Sequence, residues 1–360
     1  MFGSYLAYSE ARDLLVESAR PSRDMVPGES GTRMSVLKGD DGSVVWDRNN
    51  RYQTFPIIHG DTVITEGAFF SLLNGERLTR TDPITGEDEA WTWKRFYGCN
   101  YPIASENLIT FRSGAAGFFD FASDGGTGNF GGFKSGCTVN LIAADGVLNA
   151  PDYTRTCSCA YQNQTSLAFV HMPDAGIEYW TFNPYKWNGD PVEKTGINIG
   201  APGDRMDDDG VLWLDSPSVG GESPDLPVAF SPVEPTWLRV HAARISGEYP
   251  WVASSAAEGV EEIRVTLSEQ TVPEQRYTVK LVFAELSDTQ KGDRRFDVFM
   301  QGKRVARNVD IVGETGSGYM SLVKKFTDVR AGETLSVGLR AVEGSRKSPV
   351  LSGIVIVKDQ

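Results

Sequence analysis

The chain has 360 residues, enough for two domains that each bury a hydrophobic core. Its net charge of -13 argues against nucleic acid and anionic lipid as partners, because binding to phosphate needs clustered positive charge. The 38 glycines and the 11% aromatic content favour an all-β protein, because tight turns take glycine and pleated faces take aromatic rings.

The first half of the chain repeats at the spacing of β-propeller blades. Trp46 and Trp91 each follow a turn sequence, Asp-Gly or Thr-Gly, and they lie about one blade length apart, which is ~40–50 residues. After the first Trp come a polar stretch and two apolar strands, at 55–58 and 63–65. The pattern predicts a partial propeller of about four blades of antiparallel strands over residues 1–185, with the Trp side chains between neighbouring blades.

Two segments, 104–114 and 149–159, resemble the repeat of quinoprotein (pyrroloquinoline-quinone-like) propellers of planctomycete type. The resemblance implies a ring of about eight blades, so the remaining blades are expected from a longer chain, with a second copy or closure as an unusually small ring as alternatives. Quinone-dependent dehydrogenases of this family hold the cofactor on the axis of a complete ring. Half a ring cannot enclose it, and no cofactor is therefore expected.

The four cysteines all lie in the first half of the chain, at Cys99, Cys137, Cys157 and Cys159. An even number confined to one domain favours at least one disulfide in an exported protein, with free thiols or a metal as alternatives, and the pairing stays open. No apolar run is long enough to insert into a bilayer, and no signal peptide is present in this chain. The expected location is extracytoplasmic, either periplasmic or secreted.

Longer alternating strands replace the repeats in the second half. The segment 277–285 places Val279, Leu281 and Phe283 on one face, and similar strands follow at 353–357, with turns between them. Alternation of this kind without helical periodicity predicts a β-sandwich over residues 186–360.

The second half also resembles a known family. The elements that carry the resemblance are 197–200, 209–210, 279–285, 296–298, 310–311 and 349–354. Their order and spacing are similar to those of the malectin domain. The resemblance implies a malectin-like jelly-roll sandwich that binds carbohydrate.

Sugar sites combine an aromatic platform with polar groups, because a sugar has apolar C–H faces and hydroxyl edges. The malectin resemblance places Tyr249 where the family has a sugar-contacting tyrosine, and Trp251 follows two residues later. Trp213 and Trp237 are further aromatic candidates near strand ends. For each of these rings, a place in the core is the alternative.

Two positions depart from the family pattern. Leu286 stands where the family has an aromatic residue, and Lys347 stands where it has an acidic one. We therefore expect a glycan other than the family's glucose disaccharides. Glu285 ends its strand, and a carboxylate that caps the strand is favoured over a catalytic one. The candidate carbohydrate-binding residues are Trp251, Tyr249, Trp213, Glu285 and Lys347.

An acidic run at 203–210 suggests calcium, with Asp204, Asp207 and Asp209 as candidate ligands. Its spacing misses the EF-hand pattern and no closing Glu follows, so a solvated loop is favoured. The three histidines form no metal or nucleophile motif, and no catalytic residue is predicted.

These features predict a non-catalytic binding or scaffold module of an exported bacterial protein. The expected ligand is a polysaccharide or oligosaccharide bound through the malectin-like half. The alternatives are an enzyme, either carbohydrate-active or a quinone-dependent dehydrogenase, and a protein–protein scaffold.

Overall fold

The computed structural model describes residues 4–19, 33–50, 52, 54–98, 100–133, 141–151, 166–170 and 178–359. Its regular structure is almost entirely β-strand, which confirms the all-β class. Within these ranges no helix is long and apolar enough to cross a membrane. The cysteines Cys99, Cys137, Cys157 and Cys159, with most of the second quinoprotein-like segment, lie outside the described residues, so the disulfide stays a prediction.

The chain divides into two compact units. The first comprises residues 1–81 and 87–171, and the second comprises 82–86 and 172–360. The sequence suggested a single boundary at residue 185, whereas the short segment 82–86 belongs to the second unit.

The first unit is a series of small antiparallel sheets in chain order. The sheets are formed by β1–β4, β5–β7, β8–β9, β10–β13 and β14–β16. The strands are β1 (Ser4–Ser9), β2 (Leu14–Ala19), β3 (Arg33–Lys38), β4 (Val44–Asn49), β5 (Ile57–His59), β6 (Thr62–Thr65), β7 (Ala68–Ser71), β8 (Thr79–Thr81), β9 (Asp88–Ala90), β10 (Ile103–Ala104), β11 (Leu108–Ser113), β12 (Ala115–Asp120), β13 (Gly126–Asn129), β14 (Ile142–Ala144), β15 (Val147–Ala150) and β16 (Leu167–Val170).

The sheet of β5–β7 is buried on both faces. Val63 packs in one hydrophobic cluster with Trp46, and its neighbour Ile64 packs in the next cluster with Trp93. Alternate residues of a strand point to opposite faces, so this sheet lies between two others, as propeller blades do. Within the described ranges, the sheets form an open series and not a closed ring.

Tryptophans fill the spaces between these sheets. The Trp46 Nε1 donates a hydrogen bond to the Leu72 carbonyl at 2.7 Å, and the Trp93 Nε1 donates to the Thr65 carbonyl at 2.7 Å. Trp46 was expected between blades, but in the next repeat the fully buried ring is Trp93 and not Trp91. Trp91 is partly buried and stacks on Phe69, with 4.1 Å between ring centroids.

The second unit has three sheets, and its short first strand, β17, belongs to none of them. One is six-stranded in the order β19-β20-β18-β31-β25-β28, one is five-stranded in the order β21-β24-β29-β26-β27, and a small one pairs β22, β23 and β30. The strands are β17 (Thr181–Phe182), β18 (Lys194–Ile199), β19 (Arg205–Met206), β20 (Leu212–Ser216), β21 (Val228–Ser231), β22 (Thr236–Arg239), β23 (Ser255–Glu258), β24 (Glu262–Thr266), β25 (Gln275–Ala284), β26 (Phe296–Met300), β27 (Lys303–Val309), β28 (Ser321–Ala331), β29 (Thr334–Ala341), β30 (Val350–Leu351) and β31 (Gly353–Lys358). A short helix, α1 (Ile311–Thr315), follows β27, and a 3₁₀ turn covers Ala242–Arg244.

The two larger sheets share one hydrophobic core. Val279 and Leu281 of β25 pack in the same cluster as Val298 of β26 and Val337 of β29. The strands alternate buried and partly exposed residues, as a sheet with one covered face requires. The β-sandwich that the sequence predicts for the second half of the chain is therefore confirmed.

Candidate functional site

Trp213 is a core residue. Its indole is fully buried and packs directly on Gly196 and Gly353, where an added Cβ would lie 2.3 Å and 3.0 Å from ring atoms. Its Nε1 donates a hydrogen bond to Asp207 Oδ2 at 2.9 Å. The prediction of Trp213 as a sugar platform is therefore corrected, because a ligand from solvent cannot reach a ring enclosed in this way.

Trp251 is also mostly core, with 8% of its surface exposed. It meets Trp213 edge to face at 5.4 Å and Trp180 at 6.3 Å between ring centroids. The guanidinium of Arg205 lies 4.6 Å from the centre of the Trp251 ring. The small exposed part of the Trp251 ring borders a surface pocket, and only this part is open to a ligand.

This pocket has a volume of about 400 Å³ and brings together residues from three segments of the chain. We call it the Arg205 pocket. It is lined by Tyr179, Arg205, Met206, Asp207, Asp208, Asp209, Glu248, Tyr249, Pro250 and Trp251. Tyr249 and Trp251, which the sequence suggested, lie in it. Trp237, which is exposed and packs edge-on against Phe230, does not.

Arg205 lies between two aromatic rings. Its guanidinium carbon is 4.0 Å from the centre of the Tyr179 ring and 4.6 Å from that of Trp251. Burial lowers the pKa of Arg205, and the nearby Tyr179 and Asp208 only partly oppose this effect. The Nη1 of Arg205 is buried with no protein acceptor within hydrogen-bonding distance. One donor of a cation that lines the pocket is therefore without a protein acceptor.

Tyr249 is held in an uncommon backbone conformation. Its φ is +51°, in the left-handed region that non-glycine residues rarely adopt, and Pro250 follows it. The amides of Val252 and Ala253 both donate to its carbonyl, at 3.0 and 2.9 Å, and fix the turn. Its hydroxyl accepts a hydrogen bond from the Lys280 Nζ at 3.0 Å. Strain of this kind is concentrated at functional sites, where it orients a side chain.

The acidic run splits between two environments. Asp207 caps its own turn by accepting from the Val211 amide at 2.8 Å and from the Asp209 amide at 3.0 Å, in addition to Trp213. Asp208 and Asp209 are exposed on the rim of the Arg205 pocket, together with Glu248.

Asp204, in contrast, lies in the interior and accepts hydrogen bonds from Ser223, Asn183 and the Asp215 amide. The predicted calcium ligands Asp204, Asp207 and Asp209 therefore do not converge. Within the described ranges, no group of three or more His, Cys, Asp or Glu side chains is placed to hold a metal.

Glu285 is buried at the end of β25 and pairs with Arg294. The Arg294 Nε donates to Glu285 Oε2 at 2.7 Å, and its Nη2 donates to Oε1 at 3.1 Å. Arg294 also forms an ion pair with Glu258 and donates to the Ser348 carbonyl. Burial alone would raise the pKa of Glu285, but the ion pair with Arg294 and the hydrogen bonds from Ser287 and Thr289 outweigh it and hold the pKa below its ordinary value. This carboxylate is structural and does not face a ligand.

A comparison with protein-family models adds to this description of the second unit. Residues 264–354 match the malectin domain. The matched segment contains Glu285 and Lys347, whereas every residue that lines the Arg205 pocket precedes it. The quinoprotein resemblance of the first unit stays a prediction.

The chain is also similar to individual proteins over shorter stretches. It is 37% identical to Receptor-like protein 4 of Arabidopsis thaliana over 82 residues, which are 22% of this chain and 13% of that protein. A Bacteroides uniformis β-glucuronidase matches at 14% identity with a TM-score of 0.37, covering 62% of this chain and 24% of that one. The ANX2 ectodomain of Arabidopsis thaliana matches at 16% identity with a TM-score of 0.35, covering 46% and 50%. These structural likenesses are too distant to carry a functional argument.

Lys347, within the malectin-domain match, fastens two loops together. Its Nζ donates to Ser287 Oγ at 2.9 Å, the Asp288 carbonyl at 2.8 Å and Thr289 Oγ1 at 2.5 Å. An ammonium group has three donors, and all three are used here. The prediction that Lys347 contacts a sugar is therefore corrected to a structural role. Leu286, beside these acceptors, is buried.

A larger groove of about 610 Å³ lies over the malectin-domain match, along β24, β26 and β29. Its one aromatic ring, Phe299, is covered by the guanidinium of Arg340 at 4.4 Å. Its carboxylate Glu262 is engaged with Ser336 and Arg264. The groove thus has one aromatic ring in its lining, whereas the Arg205 pocket has three, Tyr179, Tyr249 and Trp251.

Proposed function

We propose that this chain is a non-catalytic binding module of an extracytoplasmic protein and that it binds a neutral polysaccharide or oligosaccharide in the Arg205 pocket. The observation that carries the proposal is the combination in one pocket of aromatic rings, Tyr179 and Tyr249, with the guanidinium of Arg205 and the exposed carboxylates of its rim. The malectin-domain match of residues 264–354 supports both carbohydrate binding and an extracytoplasmic location.

The chemistry of the pocket suits a sugar. Tyrosine rings pack on the C–H face of a pyranose, and polar groups around them fix its hydroxyls. Arg205 supplies a donor for a hydroxyl or ring oxygen, and the exposed carboxylates Asp208, Asp209 and Glu248 accept from hydroxyl groups. The same carboxylates would repel a uronic acid, so we expect neutral sugars to bind better than acidic ones.

The position of Glu285 supports the part of the proposal that excludes this residue from catalysis. Hydrolysis of a glycosidic bond needs two carboxyl groups that flank the bond. Glu285, the strongest candidate in the sequence, is closed off from solvent and engaged by Arg294. It cannot reach a substrate in the Arg205 pocket.

A glycan array followed by calorimetric titration of the strongest ligand tests the proposal. Tyr249→Asn removes the ring but retains a residue that tolerates positive φ. Tyr319→Asn is a matched control, because Tyr319 also has a positive φ, +57°, and lies under a guanidinium, that of Arg244 at 4.4 Å, outside the pocket. We expect Tyr249→Asn to weaken binding about tenfold or more and Tyr319→Asn to leave it unchanged.

A second pair of variants tests the arginine. Arg205→Gln should weaken glycan binding about tenfold, whereas Arg244→Gln should not. Turnover of any glycan would contradict a non-catalytic role. Binding that is equally unaffected by Tyr249→Asn and Arg205→Gln would place the ligand elsewhere.

A further inference from the structure

A buried polar cluster lies among β17–β20 of the second unit, on residues that the Arg205 pocket does not use. We call it the Asp204 cluster, and its members are Asn183, Asn198, Asp204 and Asp215. All four side chains are at least nine-tenths buried. The strand pairing brings two of them together, because Asn198 of β18 is the parallel partner of Asp215 of β20.

The cluster contains two carboxylates and no basic partner. Asp204 Oδ1 accepts from the Asp215 amide at 3.2 Å and from Ser223 Oγ at 2.8 Å, and none of the salt bridges in the described part of the chain includes Asp204 or Asp215. Uncompensated carboxylates in the interior are costly, so buried charges are normally paired or coordinate metals.

Oxygen atoms in the same cluster lack donors. Asn183 donates from its Nδ2 to Asp204 Oδ2 at 3.2 Å, while its Oδ1 has no protein partner within hydrogen-bonding distance. Asp215 Oδ1 and both polar atoms of the Asn198 amide are likewise buried without a partner. Two of these three side chains are neutral amides, so the unpartnered atoms are more than a consequence of the acidic residues. The oxygen atoms that no donor or cation of the protein meets are therefore Asn183 Oδ1, Asn198 Oδ1 and Asp215 Oδ1, whereas Asp215 Oδ2 accepts from the Val219 amide at 3.1 Å.

We infer that the Asp204 cluster binds a calcium ion through carboxylate oxygens of Asp204 and Asp215 and amide oxygens of Asn183 and Asn198. Calcium takes oxygen ligands in an irregular geometry, and carboxylates and side-chain amides are typical of its sites. Magnesium is disfavoured, because it demands an octahedral set and usually retains several waters. The site differs from the loop that the sequence suggested, because Asp207 and Asp209 lie outside it.

Thermal unfolding of the full chain, stripped with chelator and then titrated with calcium chloride, tests this inference. We expect saturable binding with about one calcium per chain by calorimetry and an upward shift of the melting temperature of at least about 4 °C in excess calcium. Asp204→Asn should abolish the shift. Asp225→Asn, at an exposed position outside the cluster, should retain it. Asp215→Asn replaces Asp204→Asn if the latter does not fold.

Three results would contradict calcium binding by the Asp204 cluster. No shift and no heat with calcium would overturn the inference, and so would an equal shift in wild type and Asp204→Asn, which would place the ion elsewhere. A larger response to magnesium than to calcium would also overturn it. Glycan is absent from the assay, so this result and that of the glycan titration can fail independently.

Discussion

Arg294 and Glu285 form a doubly hydrogen-bonded ion pair inside the second unit, with Arg294 Nε 2.7 Å from Glu285 Oε2 and Nη2 3.1 Å from Oε1. Both side chains are about 1% exposed. Arg294 also reaches Glu258 at the end of β23 and the carbonyl of Ser348. The pair therefore joins three segments of the malectin-like sandwich at the point where the sequence suggested a ligand site.

Removal of Arg294 should destabilise the protein strongly. Arg294→Met leaves the buried Glu285 without its cationic partner, and we expect a loss of about 3–5 kcal/mol in the free energy of unfolding. Urea unfolding measures it. Arg276→Met is the control, because the Arg276–Asp328 pair is 65% and 62% exposed and its loss should cost less than about 1 kcal/mol. Equal losses in the two variants would contradict a structural role for Arg294.

The contribution of Glu285 should depend on pH in a defined direction. Its pKa is lower in the folded protein than its ordinary value of 4.5, despite burial, because of Arg294 and neighbouring hydroxyls. The unfolded state therefore binds the proton more tightly, so this stabilisation is complete above the ordinary pKa and is lost as pH falls through the folded pKa. The difference in unfolding free energy between wild type and Glu285→Gln should be constant above about pH 5.5 and shrink below about pH 4.5. A difference that grows on acidification would refute this assignment.

Trp251→Ala should lower the free energy of unfolding, and its effect should not be confined to glycan affinity. Because Trp251 is 8% exposed and packs on Trp213 and Trp180, we expect a loss of about 3–5 kcal/mol in the free energy of unfolding. Thermal denaturation measures it. A variant with unchanged melting temperature and weakened glycan affinity would instead show that the ring is an open platform.

Lys347→Met should loosen the loops without affecting the Arg205 pocket. The change leaves Ser287, Thr289 and the Asp288 carbonyl without their shared donor, and we expect a cost of about 1–3 kcal/mol in unfolding free energy. Glycan affinity should be unchanged, because none of these residues lines the pocket. A tenfold loss of affinity with intact stability would restore Lys347 to the ligand site.

Ile84 should stabilise the second unit, although the rest of that unit begins only at residue 172. It is buried in the core of that unit, and its carbonyl accepts from the Glu193 amide at 2.7 Å. Ile84→Ala should cost about 2–5 kcal/mol, whereas Val233→Ala, at an 82% exposed site, should cost less than about 0.5 kcal/mol.

We also propose that proteolysis between residues 173 and 196 releases a C-terminal fragment, which should be less stable than the same unit in the full chain because it lacks Ile84.

Local patterns in the sequence were sufficient to predict the strands and to predict which face of each strand is buried. The alternation of Val279, Leu281 and Phe283 predicts which side of β25 is buried, because successive residues of a strand point to opposite faces. The place of Trp46 between two sheets followed from the repeat spacing in the same way. These features depend on neighbours along the chain, and the sequence contains them directly.

The site depended on contacts between distant segments. An aromatic residue near a strand end can point into the core or into solvent, and only the close approach of Gly196 and Gly353 decided that Trp213 is enclosed. Arg205 was not predicted, because its role comes from rings 26 and 46 residues away in the chain, at Tyr179 and Trp251. Asp204 and Asp207 are separated by two residues, yet the β-bridge to Thr181 holds Asp204 in the interior while a tight turn holds Asp207 beside solvent. Burial and partner are properties of the packed sheets, so the tertiary structure alone assigned these side chains their roles.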